Sequence, residues 1–243
     1  MLDKSCSICT CNLPIKINIK SRFSEPPLRL LTLAVHKVLN AVADTLAKTE
    51  ISYMGTKDFH AVPVEKIFKD KEVGFEREVS GGQGVSQNDP SVANDIRMDL
   101  SRMDWYAFND NYGTSEEKAL VAFIKDYMEK INEKYAKAYL VRNERHFPIY
   151  SFEAGERFEP DFVLFLQKGE KDSIEQMQIF IEPKGEQLLA GDKWKEDFLL
   201  QIKQEASIVK ALVDDRKYTV WGLHFFNREK RDSEFRDDFK ELL

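Results

Sequence analysis

The chain reads Gln178-Ile179-Phe180-Ile181-Glu182-Pro183-Lys184 in its second half, an apolar run that ends in an acid and a lysine. Another unbroken apolar run, residues 162–166, precedes it. Such runs are typical of strands that other elements cover on both faces. The periodicity then predicts a helix over residues 194–212 and a strand over residues 218–226. Because a strand–helix–strand crossover joins parallel strands, we expect residues 178–181 and 218–226 to run parallel in one sheet.

Two further helices are predicted on either side of these strands. Thr114 or Ser115 is suited to cap a helix whose apolar positions recur from residue 120 to residue 131. Ser233 is suited to cap a last helix that runs to Leu243. We therefore expect helices before, between and after the strands, which is the order of an α/β fold.

The chain divides by pattern near residue 110. Residues 111–243 also contain strand patterns at 138–141 and 149–152, and we expect this part to form a mixed sheet flanked by helices. Residues 1–110 are predicted to form an accessory α+β region. Its predicted features are a strand at 12–20, an amphipathic helix at 28–48 and a linker or mobile loop at 80–90 that is rich in turn formers.

Composition favours a soluble protein of the cytoplasm. No apolar stretch among the 243 residues approaches a membrane span, and the first residues do not resemble a signal peptide. The formal charge of −6 argues against a uniformly basic surface, but it is compatible with a local basic groove. No G-x-x-x-x-G-K-[ST] pattern is present, so no ATP site is expected.

Three cysteines lie together at Cys6, Cys9 and Cys11. Their odd number does not suit a disulfide framework. One interpretation is that they are reduced, structurally ordinary thiols. The other is a zinc site that His36 or His60 would have to complete, since structural zinc takes four ligands.

Acid and lysine side chains follow the two apolar runs at one edge of the expected sheet. Glu182 and Lys184 share one face if the strand continues through Pro183, and Asp161 opens the preceding run. Carboxylates hold Mg²⁺ together with water and substrate phosphate, and a proline carbonyl can also coordinate. A nearby lysine can orient a water or stabilise phosphoryl charge. The alternative is a solvated strand end with an ordinary ion pair.

The order of these residues resembles the PD-(D/E)xK nucleases, and longer strings narrow the resemblance to the C-terminal endonuclease domain of type III restriction enzyme Res subunits. The resemblance covers residues 112–243 well. The strings are Ser115-Glu116-Glu117-Lys118, Arg142-Asn143-Glu144, residues 150–162, Ile181-Glu182-Pro183-Lys184-Gly185 and Trp194-Lys195-Glu196.

This resemblance implies Mg²⁺-dependent cleavage of double-stranded DNA, with Mn²⁺ as a substitute ion. It makes Asp161 and Glu182 metal ligands and Lys184 the catalytic lysine. The superfamily often uses an acid on the first helix, for which Glu117 is preferred to Glu116, although a solvated helix face is an equal alternative. Gln201 occupies the place of a supporting polar residue in some relatives.

The chain departs from a Res subunit because it has no helicase-like motor, so it resembles a fragment of one. By resemblance its partners are that motor region and a modification methyltransferase subunit. A second hypothesis is therefore a catalytically silent module for docking or DNA coupling. A metal hydrolase of another class has no supporting motif. The expected basic groove would draw on Lys184, Lys193, Lys195 and residues 228–231.

Overall fold

The computed structural model describes residues 28–47, 54–55, 57, 64–67, 84–169, 175–205, 212–213 and 216–243. The chain divides into two compact units, Met1–Met54 and Gly55–Leu243. The first contains helix α1 (Leu28–Ala47), which confirms the helix predicted at 28–48. The predicted strand at 12–20, the three cysteines and His60 lie outside the described residues. No described helix is long and apolar enough to span a membrane.

The second unit is built around a five-stranded mixed sheet. Its elements are α2 (Val64–Ile67), α3 (Ser115–Lys134), β1 (Lys137–Arg142), β2 (Ile149–Tyr150), β3 (Arg157–Phe158), β4 (Phe162–Lys168), β5 (Glu175–Ile181), α4 (Glu186–Leu189), α5 (Lys193–Glu205), β6 (Leu212–Val213), β7 (Arg216–Gly222) and α6 (Asp232–Leu242). The strand order in the sheet is β1-β4-β5-β7-β6, and β2 and β3 form a separate antiparallel pair. Strands β5 and β7 are parallel, as predicted from the crossover, and the other neighbours are antiparallel.

The apolar strands are covered on both faces because their alternate side chains enter two different cores. Phe162, Leu164 and Leu166 of β4 pack in one core with α3 and α6. Val163 of β4 packs in the other core with Phe198 of α5. Each fully buried side chain of this size contributes about 1.5–3 kcal/mol through the hydrophobic effect. The prediction of a mixed sheet flanked by helices is confirmed.

The ends of the helices agree with the predictions in part. Thr114 is the N-cap of α3, and its hydroxyl accepts a hydrogen bond from the Glu117 N–H at 3.3 Å. The prediction that Ser233 caps α6 is wrong, because the helix begins at Asp232. Its N-cap is Arg231, which makes no side-chain capping hydrogen bond. Residue 212, predicted as the end of a helix, lies instead in β6. The last predicted strand is too long, since β7 ends at Gly222.

Residues 84–90, part of the predicted linker or mobile loop, are packed into the second unit. The Gln87 side chain is fully buried and donates to the Ile96 and Lys118 carbonyls at 2.9 and 3.0 Å. The side-chain amide of Asn111, also buried, donates to Gln87 Oε1 at 3.0 Å. The turn formers therefore specify irregular backbone whose polar groups are satisfied inside the protein. The domain boundary placed at residue 110 stays a prediction.

Candidate active site

The antiparallel register of β4 and β5 brings the two acids together. Phe162 pairs with Ile181, so the next residues outward, Asp161 and Glu182, face each other across the strand ends. The Asp161 N–H donates to Glu182 Oε2 at 2.8 Å. On the other side, the Asn143 N–H donates to the Asp161 carbonyl at 2.8 Å. Two neighbouring chain segments thus fix the main chain of Asp161.

A second segment holds Glu182 and Lys184 after β5 has ended. Phe226 donates its N–H to the Glu182 carbonyl at 3.0 Å and accepts the Lys184 N–H at 2.9 Å. Pro183 lies between them and is tolerated because neither bond requires its missing N–H. The Asn227 amide, which is buried, then donates to the Lys184 carbonyl at 2.7 Å. Neither Phe226 nor Asn227 was predicted from the sequence to support the site.

Lys184 is held by two carboxylates. Its Nζ lies 2.8 Å from Glu182 Oε1 and 3.0 Å from Asp192 Oδ2. Asp192 Oδ2 also lies 2.9 Å from Lys195 Nζ. Burial by itself lowers the pKa of Lys184, but the Glu182 and Asp192 carboxylates outweigh burial and raise it. Lys184 is therefore a fixed cation rather than a proton acceptor near neutral pH.

The surroundings of Asp161 favour its protonated form. Burial, followed by the negative charges of Glu182 and Glu117, raises the pKa of Asp161 to about 8. Burial also raises the pKa of Glu182, although Lys184 opposes this shift. Among the described residues, no donor is hydrogen-bonded to the Asp161 carboxylate. The Lys184 and Arg142 cations oppose the rise in the pKa of Asp161, but burial and the carboxylates of Glu182 and Glu117 outweigh them.

Glu117 approaches the two acids from the first turn of α3. The residue is buried, and its Oε2 lies 2.8 Å from Arg142 Nη2 at the end of β1. Glu116 lies elsewhere, since its Oε2 accepts the Arg228 N–H at 3.5 Å. Gly113 permits the Glu117 position, because a Cβ at residue 113 would overlap the Glu117 side chain. Of the two helix acids, Glu117 is the one that acts on Asp161.

These residues open into a cleft of about 470 Å³. Five cationic side chains line it, and they stand beside four carboxylates: the cations are Arg142, Arg145, Arg157, Lys184 and Lys195, and the carboxylates are Glu144, Glu159, Asp161 and Glu182. Of the expected basic residues, Lys184 and Lys195 line the cleft. Lys193 and Arg228 do not line it and instead pair with Asp197 and Asp95, and Gln201 is also absent from the lining.

The arginines of the cleft were not predicted as site residues. Arg142 ends β1, Arg145 lies in the turn that follows it, and Arg157 lies on β3. Arg142 and Arg157 lie in strings that carried the resemblance to a family, Arg142-Asn143-Glu144 and residues 150–162, but neither was given a role at the site. Their place beside Asp161 depends on the pairing of β1 with β4, which no local pattern specifies.

Comparison with known proteins identifies the family. The profile of the HI_1054_C family, described as a C-terminal domain, matches residues 77–242. The chain belongs to the HI_1054_C family. An uncharacterized protein of Haemophilus influenzae (strain ATCC 51907 / DSM 11121 / KW20 / Rd) is 34% identical over 208 residues, which is 82% of this chain. The chain spans 42% of that relative's length. No solved structure matches the chain.

The oxygen atoms of this HI_1054_C domain fit a hard divalent cation. Asp161 and Glu182 supply carboxylates from neighbouring strands and both line the cleft, whereas Pro183, which bridges to Phe226, is not among the lining residues. Mg²⁺ needs few protein ligands, since it keeps several waters and is bound by one or two carboxylates. No group of three or more His, Cys, Asp or Glu residues in a ligating arrangement occurs within the described ranges. Burial and the carboxylates of Glu182 and Glu117 raise the pKa of Asp161, and a cation at this position would lower it again.

Proposed function

We propose that this chain is the nuclease part of a type III restriction enzyme and hydrolyses phosphodiesters of double-stranded DNA with Mg²⁺. The observation that carries the proposal is the convergence of Asp161, Glu182 and Lys184 at one end of the cleft. Two oxygen ligands and a fixed cation at one sheet edge also occur in the PD-(D/E)xK pattern that the sequence resembles. Mn²⁺ is the expected substitute ion.

Each side chain has a distinct role in this proposal. Asp161, Glu182 and the Pro183 carbonyl would hold the ion, and Glu117 adds negative charge from α3. When bound, the ion supplies an acidified water and neutralises charge on a phosphoryl oxygen. Lys184 remains protonated and donates to the attacking water or to the phosphoryl oxygen on which charge develops. The water oxygen bonds to phosphorus and releases a proton to solvent, while the bond to the leaving sugar oxygen breaks and that oxygen takes up a proton from solvent.

The distribution of charge supports a nucleic-acid substrate. The chain has a net charge of −6, and yet five cations line the cleft that contains Asp161. Phosphate backbones bind where Lys and Arg side chains are concentrated, whatever the net charge of the protein. A strand that enters the cleft would place its phosphates between these cations and the acids.

Cleavage of supercoiled plasmid DNA by the purified chain tests the proposal. We expect nicking or cutting with Mg²⁺ or Mn²⁺, and a loss of about 100-fold or more in Lys184→Ala and Asp161→Asn. Lys193→Ala is the matched control, because Lys193 is an exposed lysine that pairs with Asp197 outside the cleft. Cutting that survives unchanged in both site variants would refute the proposal.

A second candidate is a module that binds DNA but does not cut it without a motor region and a modification methyltransferase subunit. One observation favours it: Glu182 is already engaged at both oxygens, by Lys184 at Oε1 and by the Asp161 N–H at Oε2. If these two contacts keep Glu182 from binding an ion, a partner would have to displace them before the site could act. Binding of DNA and Mg²⁺ without cleavage would support this candidate, and robust cleavage by the isolated chain would reject it.

A further inference from the structure

We propose that Arg145 is the residue that anchors a backbone phosphate of nucleic acid at the mouth of the cleft. The inference rests on the proposed nuclease function and adds a binding residue to it. Arg145 is exposed and lines the same cleft as Asp161, Glu182 and Lys184. Its guanidinium offers the paired donors that match two oxygens of one phosphate.

Arg145 differs from the other cations of the cleft in its partners. Each of the other four forms an ion pair inside the protein: Arg142 with Glu117, Arg157 with Glu159, Lys184 with Glu182, and Lys195 with Asp192. Arg145 pairs with no carboxylate among the described residues. An exposed cation that lines the cleft and forms no ion pair with the described part of the chain is available to an anionic ligand.

The backbone holds Arg145 in a conformation that its residue type disfavours. Glu144 and Arg145 have φ angles of 42° and 61°, the left-handed region that side chains with a Cβ rarely adopt. Two consecutive residues of this kind form the pattern of a type I′ turn, whose central positions are usually Gly, Asn or Asp. An arginine at such a position is strained, which indicates that its side chain has a function there that Gly, Asn or Asp could not supply.

A buried asparagine maintains this turn. The Asn143 carbonyl accepts the His146 N–H at 2.8 Å, and the Asn143 side chain both donates to the Phe147 carbonyl at 2.9 Å and accepts its N–H at 3.2 Å. The Asn143 N–H also donates to the Asp161 carbonyl. The main chain of the turn that presents Arg145 is therefore hydrogen-bonded directly to the main chain of Asp161, which supplies a carboxylate of the cleft.

Binding of a fluorescent DNA duplex to the full chain, with Ca²⁺ in place of Mg²⁺, tests the anchor. Arg145→Gln should weaken binding about 10-fold and reduce the slope of log affinity against log salt by about 0.9, the value for one lost phosphate contact. Arg145→Lys should restore the slope but not the full affinity, because an ammonium ion lacks the paired donors. Lys193→Gln removes an equal charge outside the cleft and should change neither quantity.

Arg145→Gly separates binding from stability. Glycine adopts positive φ at no cost, so this variant should melt about 2–4 °C higher than the wild type and yet bind DNA as weakly as Arg145→Gln. If the wild type cuts DNA but the Arg145→Gln and Lys193→Gln variants bind it with equal affinity and equal salt slope, the role of Arg145 is refuted and the proposed nuclease function is not. A wild-type chain that neither binds nor cuts duplex DNA would overturn the proposed function and the anchor together.

Discussion

The backbone N–H of Asp161 donates to Glu182 Oε2 at 2.8 Å, which ties the start of β4 to the end of β5 through a side chain. One oxygen of Glu182 is thereby used to fix its neighbour, and the other contacts Lys184. The Asp161 carboxylate receives no such compensation from the described residues. The metal-free protein therefore keeps the proton of Asp161 up to about pH 8, and a bound cation would favour the ionised carboxylate instead.

Asp161→Asn should stabilise the metal-free protein at alkaline pH. Because the pKa of Asp161 is raised to about 8, the folded state keeps a proton between about pH 4 and pH 8 that the unfolded state releases, so stability falls as pH rises through this window. Asparagine removes the penalty. We expect a gain on the order of 2 kcal/mol at pH 9, after allowance for relaxation and screening, and none at pH 4. Urea unfolding at both pH values measures it.

The matched control for this variant is Asp192→Asn. Burial raises the pKa of Asp192, but hydrogen bonds from Lys195 and Lys184 outweigh burial and lower it. A lowered carboxyl pKa contributes stability above the unfolded value, so Asp192→Asn should destabilise the protein at pH 9 and have less effect at low pH. If both variants shift stability in the same direction at pH 9, the raised pKa assigned to Asp161 is wrong.

Gly113→Ala should disturb Glu117 without touching the cleft itself. A Cβ at residue 113 would lie 2.8 Å from Glu117 Cβ and Cδ and would overlap its carboxylate. We expect a loss of about 1–3 kcal/mol in the free energy of unfolding, as for other overpacking substitutions. Gly191→Ala is the control, since its nearest contact would be the Leu188 carbonyl at 3.9 Å. Equal stability of the two variants in urea would show that Gly113 is not required.

Mg²⁺ should raise the melting temperature of the wild type. An ion that binds only the folded state at about 100 times its dissociation constant adds about 2.7 kcal/mol, which corresponds to about 5–10 °C for a domain of this size. Asp161→Asn should lose most of this increment, because it removes a proposed ligand. Thermal scans at matched ionic strength with Na⁺ provide the control. An equal increment in wild type and variant would place the binding of the ion elsewhere.

The sheet and its acids could be predicted because local sequence decides them. Residues 162–166 and 178–181 are apolar throughout, and strands buried on both faces require this. A helix lies between β5 and β7 in the chain, and a strand–helix–strand connection of this kind predicts that the two strands pair in parallel. The acids directly flank these two strands, so the pairing of Phe162 with Ile181 was sufficient to bring Asp161 and Glu182 together.

The supports of the site could not be predicted, because distant segments supply them. Asn143 and Asn227 are turn residues by composition, and a turn former in a sequence is usually exposed. Both are buried here, since their amides bond main-chain groups of Phe147 and Lys184. Gln87 is a third case, in a segment whose turn formers predicted a linker. Such residues gain their partners only when the chain is folded.

Asn227 is expected to position Lys184, and its substitution should lower the rate of cleavage more than the affinity for DNA. The Asn227 amide donates to the Lys184 carbonyl at 2.7 Å, and its Oδ1 accepts the N–H groups of Glu229 and Lys230 at 3.0 and 2.7 Å. Asn227→Ala leaves these groups without a partner and should cost about 1–3 kcal/mol. We expect the single-turnover rate to fall about 10-fold with DNA affinity unchanged, since a displaced Lys184 weakens transition-state contacts.

Asn227→Asp distinguishes the position of Lys184 from the integrity of the turn. Aspartate keeps the two acceptor bonds to Glu229 and Lys230 but cannot donate to the Lys184 carbonyl, so the turn should persist while cleavage slows. Asn88→Ala, in an exposed turn, controls for loss of an asparagine and should be neutral in both assays. A variant Asn227→Asp that cuts at the wild-type rate would show that Lys184 is held by the Phe226 bridge without help from Asn227, because that bridge is the remaining contact on its main chain.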